Sequence, residues 1–241
     1  MARGIGLAKQ RVSGSALLLR LVPYRDADAI VHLFSEEHGA LAAMARGARR
    51  SRRRFQSLEP MHGLRVSLDL AAGRELGTLI ETTLERPRLH LTASLEAMEA
   101  AGQALRWVRR AAPPAIPEPG LWLELTGLLD ALDEPGAGAR AREALAASGL
   151  RMLAAAGWGL ELSSCVRCGK VCPARARTAI DVRAGGVVCR DCGATGRAVS
   201  SRTRQAMVEA AEGGPFEGVD PGPVIELVEL AFEAHGRGDA T

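Results

Sequence analysis

The chain has 241 residues, 47% of them hydrophobic and 24% charged, which provides for a packed core and excludes an intrinsically disordered polymer. Its formal charge of +3 hides a segregation: residues 1–54 carry eleven basic and four acidic side chains, residues 165–204 carry nine and two, and the remainder is at −11. Two positive segments on an acidic body suit a polyanionic partner, and the most apolar stretch, residues 150–162, is too short and too interrupted by Arg151 and Glu161 to cross a bilayer.

In chain order, residues 15–22 (SALLLRLV) and 29–34 (AIVHLF) read as short apolar strands, and residues 40–45 (ALAAMA) follow a turn at Glu37-His38-Gly39. Residues 64–70 (LRVSLDL) alternate apolar and polar, the mark of a half-buried strand, and residues 75–84 (ELGTLIETTL) complete a set of five. Five short strands in about seventy residues fit the small barrel called the OB-fold, a common single-strand binder. The period then changes. Leu91, Leu95, Met98, Leu105 and Val108 recur at helical spacing across residues 91–110. A Pro-rich break covers residues 113–119, and helices are expected at 121–132 and 139–156, split by Pro135-Gly136, and at 200–211 and 223–234. The expected class is α+β: an N-terminal five-stranded OB-fold β-barrel, residues 1–84, then a helical domain at 85–162 and 200–241 with a four-cysteine zinc ribbon inserted at 163–199.

The start of the chain lacks the apolar run of a secretory signal, so a cytoplasmic protein without a membrane partner is expected. In that reducing compartment five cysteines indicate metal or catalysis before disulfides. Cys165-Val-Arg-Cys168-Gly169 and Cys189-Arg-Asp-Cys192-Gly193 are matched knuckles, and the glycine after each pair permits the left-handed turn such a knuckle uses. Two knuckles face to face supply four thiolates in a tetrahedron, the structural environment of Zn²⁺. Mononuclear iron or an iron–sulfur cluster shares this set of four thiolates, and the glycines favour a single ion. Four thiolates leave no open position, so the ion, Cys165, Cys168, Cys189 and Cys192 being its ligands, is structural. Cys172 has no partner knuckle and is expected to stand aside. A short hairpin is expected between the knuckles, at residues 179–188.

Six arginines fall within residues 46–54, after the third strand: Arg46, Arg49, Arg50, Arg52, Arg53 and Arg54. Guanidinium groups at this density offer planar donors to phosphate oxygens, without a base-reading pattern. Phe55, which follows them, is expected at the core or rim of the barrel. Aromatic residues make up only 3% of the chain, so phosphate contact must outweigh base stacking. A second basic group decorates the cysteine segment, with Arg175 and Arg177 as further candidates for DNA contact. The five histidines are scattered and no phosphate loop, nucleophile elbow or deaminase signature is present, so no enzyme is expected.

In this order, several segments resemble the RecO family of DNA repair and recombination mediators. They are Pro23-Tyr24-Arg25-Asp26-Ala27-Asp28; Leu33-Phe34-Ser35-Glu36-Glu37-His38-Gly39; Ala45-Arg46-Gly47-Ala48-Arg49-Arg50; Leu58-Glu59-Pro60; and the knuckles with Gly185-Gly186-Val187-Val188 before the second. Arg46 stands where the family often has lysine, the arginine run is unusually long, and Cys172 is additional. The resemblance implies binding of single- and double-stranded DNA, annealing of complementary strands, and action with RecR to help load RecA on DNA coated with single-strand-binding protein. It also implies contact with the acidic C-terminal tail of that protein, for which the helix at residues 105–110 is a place to look. The alternative is a zinc-ribbon RNA- or ribosome-associated binding protein, which shares the basic loop and the knuckles.

Overall fold

The computed structural model describes residues 9–48, 50–51, 53–56, 58–71, 76–173 and 175–236. The chain divides into two units, Met1–Arg88 with Ala112–Trp122, and Leu89–Ala111 with Leu123–Thr241. In the first, β1 (Lys9–Tyr24), β2 (Asp28–Ser35), β3 (Gly39–Ala45), β4 (Gly63–Ala71) and β5 (Leu76–Arg86) close a barrel in the order β1-β2-β3-β5-β4. This is the OB-fold expected from five short strands in about seventy residues. Four strands fall where the sequence places them, but β1 begins six residues before the expected residue 15. The added stretch is polar, with Val12 its one large apolar residue, and the pattern alone gives it no face. It becomes strand because residues Lys9–Leu17 pair with β4 while Ala16–Tyr24 pair with β2. One strand serving two partners must bend, and the register slips between Leu18 and Arg20.

Alternate residues of β1, β2, β3 and β4 fill the barrel, among them Ala16, Leu18, Val31, Leu33, Leu41, Ala43, Leu64, Val66 and Leu68, with Leu79 from β5 and Phe55 from the loop before β4. Each large apolar side chain buried this way contributes about 1.5–3 kcal/mol relative to an exposed one. The cross-strand pair Leu17 and Phe34 belongs to the opposite face, yet both are fully buried. The Pro-rich segment supplies cover. Ala115 N donates to Ala40 O at 2.9 Å, and the Trp122 ring lies 5.8 Å from that of Phe34. The strap approaches so closely that a Cβ on Gly39 (φ +67°) would sit 1.9 Å from Ile116 O, which only glycine avoids. Arg88 ends the first segment of the unit, its backbone N–H donating to His62 Nδ1 at 3.0 Å.

The second unit holds α1 (Leu95–Ala111), α2 (Pro119–Leu132, its first residues belonging to the barrel unit), α3 (Ala141–Ala155), α4 (Ser201–Ala211) and α5 (Gly222–His235). The helix expected from residue 91 starts at Leu95, after a single 3-10 turn at Leu91–Ala93, with the Ser94 hydroxyl accepting from Ala97 N. Leu95 is exposed. The buried face of α1 is Ala97, Ala100, Ala101 and Ala104 with Leu105, Trp107 and Val108. Trp107 is completely buried, stacked on Phe232 of α5 at 5.5 Å. The apolar side chains within residues 105–110, a place to look for a partner contact, therefore belong to the core. Gly149 of α3 makes the stacking possible, since a Cβ there would lie 2.7 Å from the Trp107 ring.

Candidate nucleic-acid interface and metal centre

The arginine loop leaves β3 at Arg46 and is pinned at both ends. At its start Gly47, in the left-handed region at φ +72°, donates its N–H to Asp28 Oδ1 at 2.8 Å. Arg50 N and Ser51 N both donate to Gly47 O at 3.0 Å, and Phe55 N to Ser51 O at 3.2 Å, which are turn hydrogen bonds among the described residues of the loop. At its end Phe55 enters the barrel core, and Thr82 N of β5 donates to Arg54 O at 2.8 Å. Arg46, Arg50, Arg53 and Arg54 are exposed, while Arg49 and Arg52 lie outside the described residues. The six are not equivalent. Arg54 Nη2 donates to Arg46 O at 2.9 Å and its guanidinium sits 5.1 Å above the Phe55 ring, which staples the loop closed. Asp28, Thr82 and this use of Arg54 support the loop, and of these only the stacking of Arg54 on its neighbour Phe55 is local in the sequence, Asp28 being 19 residues from Gly47.

Around the cysteines the chain forms two turns and a small sheet, β6 (Thr178–Asp181), β7 (Gly186–Val188) and β8 (Arg197–Val199), in the order β7-β6-β8. The expected hairpin is β6 with β7, and three-residue β8 leaves no pattern in the sequence. Gly169 and Gly193 follow their cysteine pairs at φ +72° and +87°, each donating its N–H back into its own knuckle. The four thiol sulfurs of Cys165, Cys168, Cys189 and Cys192 lie within 4.8 Å of one another, and Cys168 and Cys189 are 3.8 Å apart. A tetrahedron with metal–sulfur bonds of ~2.3 Å has edges of ~3.8 Å, so the residues fit a single tetrathiolate ion. Electrostatics agree. The Cys189 N–H, directed at Cys165 Sγ at 3.4 Å, helps pull that thiol down to about 6, whereas hydrogen bonding with Cys168 and then Cys189 pushes Cys192 up to about 12. Four thiols this close cannot all ionise without a cation among them. Cys172 lies outside the cluster and is buried, and burial raises its thiol above the ordinary value.

Of the second basic group, several members are structural. Arg167 donates to Cys192 O at 2.9 Å and Thr195 Oγ1 at 3.1 Å, and Lys170 meets Asp191 at 3.0 Å, so both cations of the first knuckle tie it to the second. Arg197 pairs with Glu226. Arg204 is buried, its guanidinium donating to the carbonyls of Leu162, Cys172 and Pro173 across the base of the insertion. Arg175, Arg177, Arg183, Arg190 and Arg202 remain on the surface. Among the described residues the four cysteines are the one cluster of potential ligands with metal-holding geometry, and no described helix is long and apolar enough to cross a membrane.

Comparison with known proteins places the chain. The family described as "Recombination protein O N terminal" matches residues 10–88, which is the barrel, and "Recombination protein O C terminal" matches residues 92–226, which spans the helices and the cysteine insertion. The chain is similar to the DNA repair protein RecO of Geobacter sulfurreducens, 33% identical over 226 residues that cover 91% of this chain and 90% of that one. It is likewise 36% identical over 186 residues to the DNA repair protein RecO of an Anaeromyxobacter species, covering 76% of this chain and 70% of the other. With Myxococcus xanthus RecO it is 35% identical over 192 residues, 78% of this chain and 75% of that protein. A closed five-stranded barrel, a helical unit and a four-cysteine insertion, matched by both family halves, make this chain a member of the RecO family of DNA repair proteins.

Proposed function

We propose that the protein is a non-enzymatic mediator of DNA repair and homologous recombination, which binds single- and double-stranded DNA, anneals complementary strands and, with RecR, helps load RecA on DNA coated with single-strand-binding protein. The observation that carries this reading is the pinned loop of exposed arginines on the OB-fold barrel. Annealing requires two polyanions to be held close while their charge is neutralised, and fixed guanidinium groups do this without a chemical step. Arg46, Arg49, Arg50, Arg52, Arg53 and Arg54 are the proposed phosphate contacts, with Arg54 also holding the loop, and Arg175 and Arg177 extend the basic surface of the insertion. The four cysteines hold Zn²⁺, which the closed tetrathiolate geometry suits, and the ion braces the insertion and takes no part in chemistry. The units act as a DNA-binding barrel and a helical domain, in the nucleoid of the cytoplasm, and the acidic tail of single-strand-binding protein is a partner.

The test is annealing of complementary strands precoated with single-strand-binding protein, with and without RecR, and loading of RecA on the same DNA. Acceleration that disappears on reversing Arg46, Arg50 and Arg53 to Glu supports the reading. Failure to bind DNA at low ionic strength, or preference for structured RNA over single-stranded DNA in competition, overturns it.

A further inference from the structure

On the reading proposed above the arginine loop meets phosphates, and phosphates are present on single strands and duplexes alike, so the loop by itself does not tell one from the other. Discrimination needs apolar surface for base faces, which a duplex hides by stacking and a single strand presents. The barrel offers little of it. Phe34 and Phe55 are buried, and Tyr24, the remaining aromatic residue of that segment, has the Arg25 guanidinium over its ring at 5.2 Å. In the helical unit Trp107 is buried as well, and half-buried Trp158 packs on Phe232 and His235. A surface that meets the requirement, with basic side chains beside it, lies next to the metal knuckles. There a groove of about 750 Å³ is lined by Val171, Pro173, Ala176 and Ala198, with Arg177 and Arg190 at the same groove. Val171 is 73% exposed, an unusual position for a valine that borders further apolar surface. The one carboxylate of the lining, Asp191, is paired with Lys170, so the balance at the groove is positive.

We infer that this groove receives unstacked bases of single-stranded DNA on Val171, Pro173, Ala176 and Ala198 while Arg177 and Arg190 hold the flanking phosphates, which gives the protein a preference for single strand over duplex. The inference rests on the DNA-binding reading above and deepens it. Charge complementarity selects the occupant: planar guanidinium groups beside an aliphatic lining match a polyanion whose bases alternate with phosphates. Because Cys189 also lines the groove, its shape depends on the same knuckle that binds the ion.

The experiment uses the full chain, metal-loaded, with labelled oligothymidylate and a duplex of equal length. Val171→Asn with Ala176→Asn removes apolar lining without changing charge. Loss of about 40 Å² of apolar contact corresponds to roughly fivefold weaker binding of the single strand, with duplex binding unchanged. Arg177→Gln with Arg190→Gln, at exposed positions that leave the fold alone, is expected to weaken the single strand more than the duplex. Equal shifts for both DNA forms, or none, overturn the inference. So does a loss confined to an acidic peptide ending in an apolar residue, which would make the groove a peptide site. The Arg46, Arg50 and Arg53 variants separate the two levels: their failure to affect either DNA form counts against the parent reading, whereas a parent reading that stands with an unselective groove counts against this one alone.

Discussion

Replacing Arg46, Arg50 and Arg53 together by Gln removes three exposed cations from the loop and leaves its fastenings, Asp28 to Gly47 and Phe55 in the core, untouched. If each makes one phosphate contact, the slope of log K against log salt falls by roughly 2.7 on duplex and about 2 on single strands, since each neutralised phosphate contributes about 0.9 and 0.7. Between 50 and 200 mM salt the duplex affinity of the unmodified protein should therefore drop about 40-fold further than that of the variant. Fluorescence anisotropy across a salt titration measures this, with thermal unfolding as the check on the fold. Arg54→Gln is the internal contrast: it breaks the staple over Phe55 and should lower stability by about 0.5–1 kcal/mol while changing the slope by no more than a single contact. An unaltered slope in the triple variant, or a slope change of the full size from Arg54 alone, refutes the assignment of the loop to phosphates.

Three further outcomes are expected. Gly149→Ala, a change that in an ordinary helix interior stabilises by about 0.5–1 kcal/mol, should here destabilise by about 1–3 kcal/mol because its Cβ meets Trp107 at 2.7 Å and Val228 at 3.0 Å, as chemical denaturation will report. Glu229 is partly buried, which raises its pKa, but hydrogen bonds from Trp107 and Arg110 outweigh burial and hold it below the usual carboxylate range. A depressed folded-state pKa stabilises above the unfolded value of about 4.3 and is lost as pH falls through the folded one, so Glu229→Gln should flatten the acid limb of the stability–pH curve, and an unchanged limb would contradict the role of the carboxylate. Cys189→Ser with Cys192→Ser should release one metal ion per chain and lower the melting temperature; X-ray absorption on the unmodified protein should return sulfur ligands alone near ~2.3 Å, and retained metal in the double variant defeats the ligand set.

Large parts of this architecture are legible in the residues because they follow one rule each. Short apolar runs locate β2 and β3, alternation locates β4 and the turn before it introduces β5, and paired cysteine knuckles locate a site whose sulfurs converge to within 4.8 Å. What escapes such rules depends on partners distant in sequence. The first residues of β1 carry a weak pattern and are strand only because β4 lies beside them. The core face of α1 is largely alanine, so exposed Leu95 imitates a core position and the buried Trp107 imitates a surface one. Arginines look alike in a string of letters. The structure separates exposed Arg50 from Arg54, exposed as well but held over Phe55, and from Arg204 buried beneath the insertion, because each role is set by the carbonyl or ring that happens to be near.

The strap that covers Phe34 has a temporal consequence. Chain emerging from the ribosome completes all five strands by Arg86, yet Ile116 and Trp122, which seat against Gly39 and Phe34, are made only after the whole of α1. The barrel thus waits, with an aromatic ring on its outer wall uncovered, until about three dozen more residues have been added, and the helix spanned by that interval is threaded between two visits of the chain to the barrel. A fragment cut at Arg88 would keep every strand and still lack its finish.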